Sequence, residues 1–477
     1  PLLTALYCLA FLNEPLWQFW RTVTGAPQTA LLPSISFLVA IAGVISAFLM
    51  PFSHPRLVRW AASIVIFLAA ANAYFSMHFG TIVDTPMIRN IVETDWREAM
   101  ELMTRPFGEF MLLYVALPIF ILFGMRVEPV PFLKWCKKMP LFTLLAFLVA
   151  VVALGSHYKF FQLLFRQHRE VRLYVNPTYP IYSLAKYFVV GDENESITVK
   201  PVALDARAPK KQPGKRPLLA IMVVGETARA DHFSLNGYAR DTNPELSQEN
   251  VLSFRYAWSC GTSTAESLPC MFSDLGRDHY SPDKAAQRQN LLDILQRIDV
   301  NVLWIDNNSG SKGVAKRVAQ LGRAEFTPNE IQQHCRPDEC FDEVLVDALK
   351  RSLPTDNRDS FVVLHQLGEH GPSYYKRHPA AFTRFQPECL KDDAFNCSNE
   401  EIANAYDNDI LYTDHVLARV IEELKSVEKD RDVLMLYMSD HGESLGENGV
   451  YLHGAPWAFA PDAQKHVPMI LWLPATT

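Results

Sequence analysis

Long apolar runs dominate the first third of the chain, at about residues 1–20, 34–50, 57–79, 107–124 and 139–155. A helix needs ~20 apolar residues to cross a bilayer core, within a range of ~17–25. The pattern therefore predicts five membrane-spanning helices. The first run opens directly in apolar sequence and looks cut at its start. Buried helices of a water-soluble protein would also be apolar, but five runs so close together favour the bilayer. The loops give a direction. Arg56 follows the second run, Arg59 lies just inside the third, and Arg126, Lys134, Lys137 and Lys138 follow the fourth. Between the third and fourth runs, Asp84, Glu93, Asp95, Glu98 and Glu101 outnumber Arg89 and Arg97. Basic loops stay cytoplasmic, so five spans place everything after Gly155 outside the cytoplasm.

The pattern then changes. Residues 157–169 mix aromatics (Tyr158, Phe160, Phe161, Phe165) with Lys159, Arg166 and Arg169, as in an interfacial amphipathic helix or an ordinary packed one. The stretch ARAPKKQPGKRP at 206–217 reads as an exposed linker. From residue 218, short apolar runs suited to buried strands (218–224, 301–305, 361–367, 433–438 and 467–473) alternate with helical patterns at about 291–298, 341–353 and 400–427. That alternation predicts an α/β domain with a largely parallel central sheet. Three regions result: membrane helices at 1–155, a connector at 156–217, and a catalytic domain at 218–477.

Composition sharpens this division. A mean hydropathy of zero averages two unlike parts. With 49% hydrophobic and 20% charged residues the chain is no disordered polymer. A net charge of −7 lacks the basic footprint of a nucleic-acid binder.

Candidate chemistry sits where the predicted strands end, which is where sites collect in such sheets. The first strand runs into Gly225-Glu226-Thr227 and another into Ser439-Asp440-His441-Gly442-Glu443. A third carries His365 and then His370, and a fourth runs into Asp306-Asn307-Asn308-Ser309-Gly310-Ser311-Lys312. Carboxylate and imidazole are the zinc ligands expected outside thiolate sites. Asp440 and His441 are adjacent, so both reach one ion only from an irregular loop, which a glycine at 442 permits. In CGTSTAESLPC, Thr262, Ser263 and Thr264 precede an apolar stretch. They suit either helix capping or a phosphate held at a helix start. Six of the eight cysteines form three close pairs in the second half, with fifteen possible connectivities. Disulfides suit a non-cytoplasmic domain, and a cysteine zinc site lacks the paired C-x2-C spacing.

The strings VVGETARADHFSLNGYARDTNP, SCGTSTAESLPCMFSDL, DNNSGSKGV, LHQLGEHGPSYYKR, NAYDNDILYTD and SDHGESLGENGVYLHGAPWAFAP resemble the lipid A phosphoethanolamine transferases, which include chromosomal and mobile colistin-resistance enzymes. The resemblance runs over nearly the whole chain. It implies a five-helix transmembrane domain in the bacterial inner membrane and a periplasmic domain of alkaline-phosphatase/sulfatase-like type. Thr264 becomes the nucleophile. Glu226, Asp440 and His441, with Thr264, become ligands of one tightly bound Zn²⁺, with a second ion conceivable during turnover. Asn308, Lys312, His370 and His453 match positions that hold the phosphoethanolamine group or a second zinc; His365 shares the motif. His453 or His370 would pass the proton. The implied disulfides are Cys260–Cys270, Cys335–Cys340 and Cys389–Cys397. The implied donor is phosphatidylethanolamine and the acceptor lipid A, acted on by a monomer that contacts membrane lipids and no nucleic acid. Asn90 and Thr94, on the outer-face loop at 79–95, become lipid-binding candidates. Glu266 has no place in this scheme. Two rivals stand beside it: a related phosphodiesterase, sulfatase or phosphoglycerol transferase acting on another glycan, and a zinc-bound scaffold without activity.

Overall fold

A computed structural model describes the chain except residues 25–26, 95, 192–198, 209–213, 338, 392–396 and 475–477. Asp95, part of the connector and the middle of the basic linker lie outside the described residues. The chain forms two compact units, Pro1–Ile88 with Met103–Val189, and Arg89–Leu102 with Val190–Thr477.

In the first unit, four helices among the described residues are long and apolar enough to cross a membrane: Leu31–Phe52, Val58–Phe79, Arg105–Gly124 and Phe132–Ser156. The fifth expected span is absent as a continuous helix. The first run breaks into Leu2–Phe11 and Glu14–Thr24, and ten residues span only ~15 Å at ~1.5 Å per residue. Asn13 explains the break. It is buried, its amide donates to Cys8 O (2.9 Å) and Asn176 O (2.7 Å), and its Oδ1 accepts from Asn176 N (3.0 Å). A buried amide needs such partners, and these are satisfied only where the helix stops. Elsewhere small residues allow close packing: a Cβ on Gly43 would lie 2.8 Å from Ala146 O of the Phe132–Ser156 helix. The aromatic stretch at 157–169 forms the helix Tyr158–Gln167, burying Phe161 and Leu164 while Tyr158 and Leu163 are exposed.

The second unit is built on a sheet. Its strands are β1 (Leu218–Gly225), β2 (Val251–Trp258), β3 (Asn301–Asp306), β4 (Ala319–Leu321), β5 (Ser360–His365), β6 (Asp432–Ser439) and β9 (His466–Trp472), with β7 (Ser444–Leu445) and β8 (Tyr451–Leu452) forming a separate hairpin. The seven-stranded order is β2-β9-β6-β1-β5-β3-β4. The five strands β6-β1-β5-β3-β4 are parallel. β9 runs antiparallel to both β6 and β2, so the sheet is mixed and the largely parallel expectation holds for its middle. Parallel neighbours need a crossover, usually a helix. Only short strands and 3-10 turns lie between β6 and β9, and the chain therefore returns in the opposite direction.

β1 explains itself as a central strand. Leu219, Ile221 and Val223 enter one core with Tyr406, Ile410, Leu417 and Ile421 of the helix Asn399–Val427. Met222 and Val224 enter another with Trp304 and Val363. A strand covered on both faces reads as an unbroken apolar run. The long helix starts at a capping box: Ser398 Oγ accepts from Glu401 N (3.2 Å) and Glu401 Oε2 accepts from Ser398 N (2.7 Å).

Candidate active site

The parallel strands end at one edge. Register pairs Gly225 with Ser439, Val224 with His365, and Asp306 with His365. The residues that follow β1 and β6 are thereby brought together. Ligand atoms of Glu226, Asp440 and His441 all lie within 4.8 Å of one another, and none of the three residues is exposed. His441 Nε2 is 3.1 Å from Glu226 Oε1 and 3.5 Å from Asp440 Oδ2. Its Nδ1 donates to Gly442 O (3.0 Å), which leaves Nε2 as the ligand atom.

Thr264 opens the helix Thr264–Met271, with Ser263 at its N-cap. Its Oγ1 donates toward Glu226 Oε2 (3.0 Å) and Oε1 (3.2 Å) and lies 3.4 Å from His441 Nε2. The Cys260–Cys270 disulfide spans this helix start. Cys335–Cys340 and Cys389–Cys397 are also bonded.

The backbone around these groups is strained and held. Thr227, β-branched and buried, sits at φ +57°, an outlier for such a residue. Tyr406 OH fixes it, donating to Thr227 O (2.7 Å) and accepting from Arg229 N (3.0 Å). Gly442 answers a need for space rather than a left-handed conformation: a Cβ there would collide with Ala463 O.

Two buried carboxylates face one imidazole. Burial opposes charge on Glu226, but His441 and the neighbouring imidazoles hold its carboxyl well below the usual range. Burial, and then the Glu226 charge, push Asp440 up to about 6. Burial opposes charge on His441 too, yet Asp440 and Glu226 outweigh it and push the imidazole up to about 10. Asp440 Oδ2 is buried without a hydrogen-bond partner. Excess buried negative charge, an orphaned carboxylate oxygen and an O,O,N,O donor set together fit a divalent cation such as zinc.

Other candidates surround this centre. Asn308 Nδ2 donates to Glu226 Oε2 (2.9 Å) and Gln366 O (2.8 Å), so its amide steadies the carboxylate. Lys312 adopts φ +47° and its Nζ lies 3.4 Å from Ser309 O. His365 is fully buried and pairs through Nδ1 with Asp306 Oδ2 (3.0 Å), which also accepts from Trp304 Nε1 (2.7 Å). Burial opposes charge on His365, and the Asp306 carboxylate beside it raises the imidazole above its ordinary value. The His453 ring centroid lies 4.5 Å from His441 and 5.3 Å from His370. Asn90 and Thr94 are tied to each other, Thr94 Oγ1 donating to Asn90 O (2.6 Å). Neither bonds to the Glu226 cluster among the described residues.

Sequence reasoning gave no role to four supporting residues. Glu443 Oε2 accepts from His453 Nδ1 (2.9 Å), and Tyr374 OH donates to Glu443 Oε1 (3.0 Å). Asp306 holds His365, and Arg377 Nε donates to His370 O (2.7 Å). Glu443 follows Asp440-His441 after one glycine, the signal the sequence offered for it. Glu266 also finds a place. It accepts from Arg277 Nη1 (2.9 Å), whose guanidinium lies over the Trp457 ring (4.5 Å).

Comparison with known proteins agrees over both units. The phosphoethanolamine transferase EptA/EptB family matches residues 41–190, and the sulfatase family matches residues 219–477. The chain is 38% identical to phosphoethanolamine transferase EptA of Salmonella typhimurium over 99% of its own length and 86% of that protein's. It is 40% identical to phosphatidylethanolamine transferase Mcr-1 of Escherichia coli over 86% of this chain and 77% of that one. Among solved structures, the integral membrane lipooligosaccharide phosphoethanolamine transferase A (EptA) of Neisseria meningitidis superposes with a TM-score of 0.92 at 30% identity, covering 99% of this chain and 88% of that one.

Proposed function

Because the chain belongs to the EptA/Mcr family of phosphoethanolamine transferases, multi-pass inner-membrane proteins with a periplasmic catalytic domain, we propose that it moves phosphoethanolamine from phosphatidylethanolamine to a phosphate of lipid A by way of Thr264. The observation that carries this reading is a hydroxyl at a helix start, 3.0 Å from a buried carboxylate in a cluster suited to a cation.

Glu226, Asp440, His441 and Thr264 would hold a zinc ion, which when bound supplies positive charge that acidifies a hydroxyl and offsets phosphoryl charge. Thr264 Oγ1 attacks phosphorus, its bond to phosphorus forms, and the bond to the diacylglycerol oxygen breaks. The threonine proton ends on the departing diacylglycerol. A lipid A phosphate oxygen then attacks the same phosphorus, its bond to phosphorus forms, the Thr264 Oγ1–phosphorus bond breaks, and the proton given up by the lipid A phosphate passes to Thr264 Oγ1. Covalent transfer of this kind implies ping-pong kinetics. Lys312 and the imidazoles meet the phosphoryl oxygens. Of the two proton-carrying candidates, His453 is favoured, because Glu443 fixes its Nδ1–H and frees Nε2.

That preference is testable. His453→Ala is expected to lower kcat by about 10²–10⁴-fold, the usual contribution of a general acid or base. Glu443→Gln is expected to lower it less and to shift the kcat pH profile, since the imidazole loses its carboxylate. A wild-type profile in Glu443→Gln would remove His453 from the proton path.

Mass spectrometry of lipid A from an expressing bacterium tests the reaction itself. The expected result is an added mass equal to phosphoethanolamine, with reduced polymyxin sensitivity as ammonium groups lower the surface charge that attracts cationic peptides. Unchanged lipid A beside a folded, zinc-loaded protein would overturn the acceptor and point to core sugars or another glycan.

A further inference from the structure

Arg377 is a buried cation that the reaction above does not use. Its side chain is 4% exposed, and all three guanidinium nitrogens are engaged. Nε donates to His370 O (2.7 Å), Nη2 to Glu101 Oε2 (2.8 Å), and Nη1 to Glu339. Lys376 Nζ adds a second cation 3.7 Å from Glu101 Oε1. A guanidinium keeps its charge when buried, and taking away one partner of a buried pair leaves that charge uncompensated.

The origin of Glu101 gives this cluster its interest. It lies in Arg89–Leu102, which groups with the catalytic unit although the chain enters it from Ile88 and leaves it at Met103, both in the membrane unit. The guanidinium is planar and its donors form a rigid fork. Two carboxylates that hold Nη1 and Nη2 therefore set the direction of Nε–H, and with it the place of His370 O. Glu339 comes from the catalytic unit's own chain, beside the Cys335–Cys340 disulfide. Glu101 is supplied from within the membrane half of the sequence.

We propose that Arg377 is a positioning residue for His370 and that Glu101 sets its orientation, so that the active-site imidazole is placed by a segment lying between two membrane helices in the chain. The role given to His370 rests on the phosphoethanolamine-transfer reading. The bonded chain Glu101–Arg377–His370 does not.

The test uses the full chain in bilayer nanodiscs, with acyl-labelled phosphatidylethanolamine as donor and purified lipid A as acceptor. Glu101→Gln keeps the size of the side chain and removes its charge. A displacement of about 1 Å in a catalytic group costs about 10²-fold, so kcat is expected to fall about 10–100-fold while KM for phosphatidylethanolamine stays within about twofold. Arg377→Gln should do the same. Because the two residues form one unit, the double variant should be no slower than the worse single one. Hydrogen exchange of the amides at 367–377 should quicken in Glu101→Gln, and this reading needs only the milder variant to fold. Wild-type kcat in Glu101→Gln, additive losses, or a raised KM at constant kcat would overturn the proposal, the last by making Glu101 a lipid-binding group. If the wild-type chain itself releases no labelled diacylglycerol, the transfer reading fails and exchange alone decides. Faster exchange then supports the positioning chain, and unchanged exchange overturns it.

Discussion

Thr264→Ala is expected to abolish phosphoethanolamine transfer, by about 10⁴–10⁶-fold, the scale on which loss of a covalent nucleophile acts. The substitution removes the Thr264 hydroxyl, which lies against Glu226 and His441. It should leave the fold intact for three reasons. Alanine is the best helix former, and position 264 opens a helix whose N-cap is Ser263. Glu226 Oε2 keeps the Asn308 amide as a donor (2.9 Å). The disulfide between Cys260 and Cys270 still closes the loop. The cost to stability should be about 1 kcal/mol, the net worth of one hydrogen bond. Two measurements decide the matter. Release of labelled diacylglycerol before any acceptor is added should show a single stoichiometric burst in the wild type and none in the variant. Intact-protein mass should show a phosphoethanolamine adduct on the wild type alone. Retained turnover in a folded Thr264→Ala chain would sink the covalent route and leave direct transfer between the lipids.

What the sequence displayed and what it hid follow physical lines. β1, β3, β5 and β6 were legible because strands buried on both faces are continuous apolar runs. The polar groups at their ends stood out against that background, as Glu226 and Asp440-His441 do. β2 was hidden. It lies at the sheet edge, its residues are mostly half-buried or exposed, and Ser253 and Arg255 interrupt its apolar pattern. β4 is three residues long, too short for any period. The broken first run was hidden because the partner that settles Asn13 is Asn176, 163 residues away. The reversal of β9 depends on a connection without a crossover helix, a property of 440–465 as a whole. Supporting residues were hidden for the same reason. Glu443, Asp306 and Arg377 stand inside the recognisable strings, but they act through residues distant in sequence or through backbone atoms, so the strings do not reveal what each one holds. Gly442 was legible as necessary but for a different cause, since only the fold places Ala463 O against it.

Removing divalent cations should silence the enzyme and soften the catalytic unit together. Glu226 and Asp440 are fully buried with His441 as the nearest cation, and Asp440 Oδ2 has no hydrogen-bond partner. Without a metal ion, these carboxylates repel each other in a medium that screens poorly. Dialysis of the purified chain against a chelator is expected to end turnover, and added zinc to restore it. A ligand at 100 times its Kd stabilises the folded state by about 2.7 kcal/mol. At about 1.5–2 °C per kcal/mol for a unit larger than 250 residues, zinc should raise Tm by about 4–5 °C. Asp440→Asn tests whether this carboxylate belongs to the metal set. It removes a charge from the cluster, so the variant should lose both the zinc-dependent rise in Tm and the turnover, while its metal-free Tm should match or exceed that of the metal-free wild type because one buried charge is gone. A wild-type zinc response in Asp440→Asn would exclude this carboxylate from the metal set. A metal-free wild type with unchanged Tm and full turnover would mean that the Glu226–Asp440–His441 cluster works as an acid–base network, with Thr264 activated by the Glu226 carboxylate 3.0 Å away.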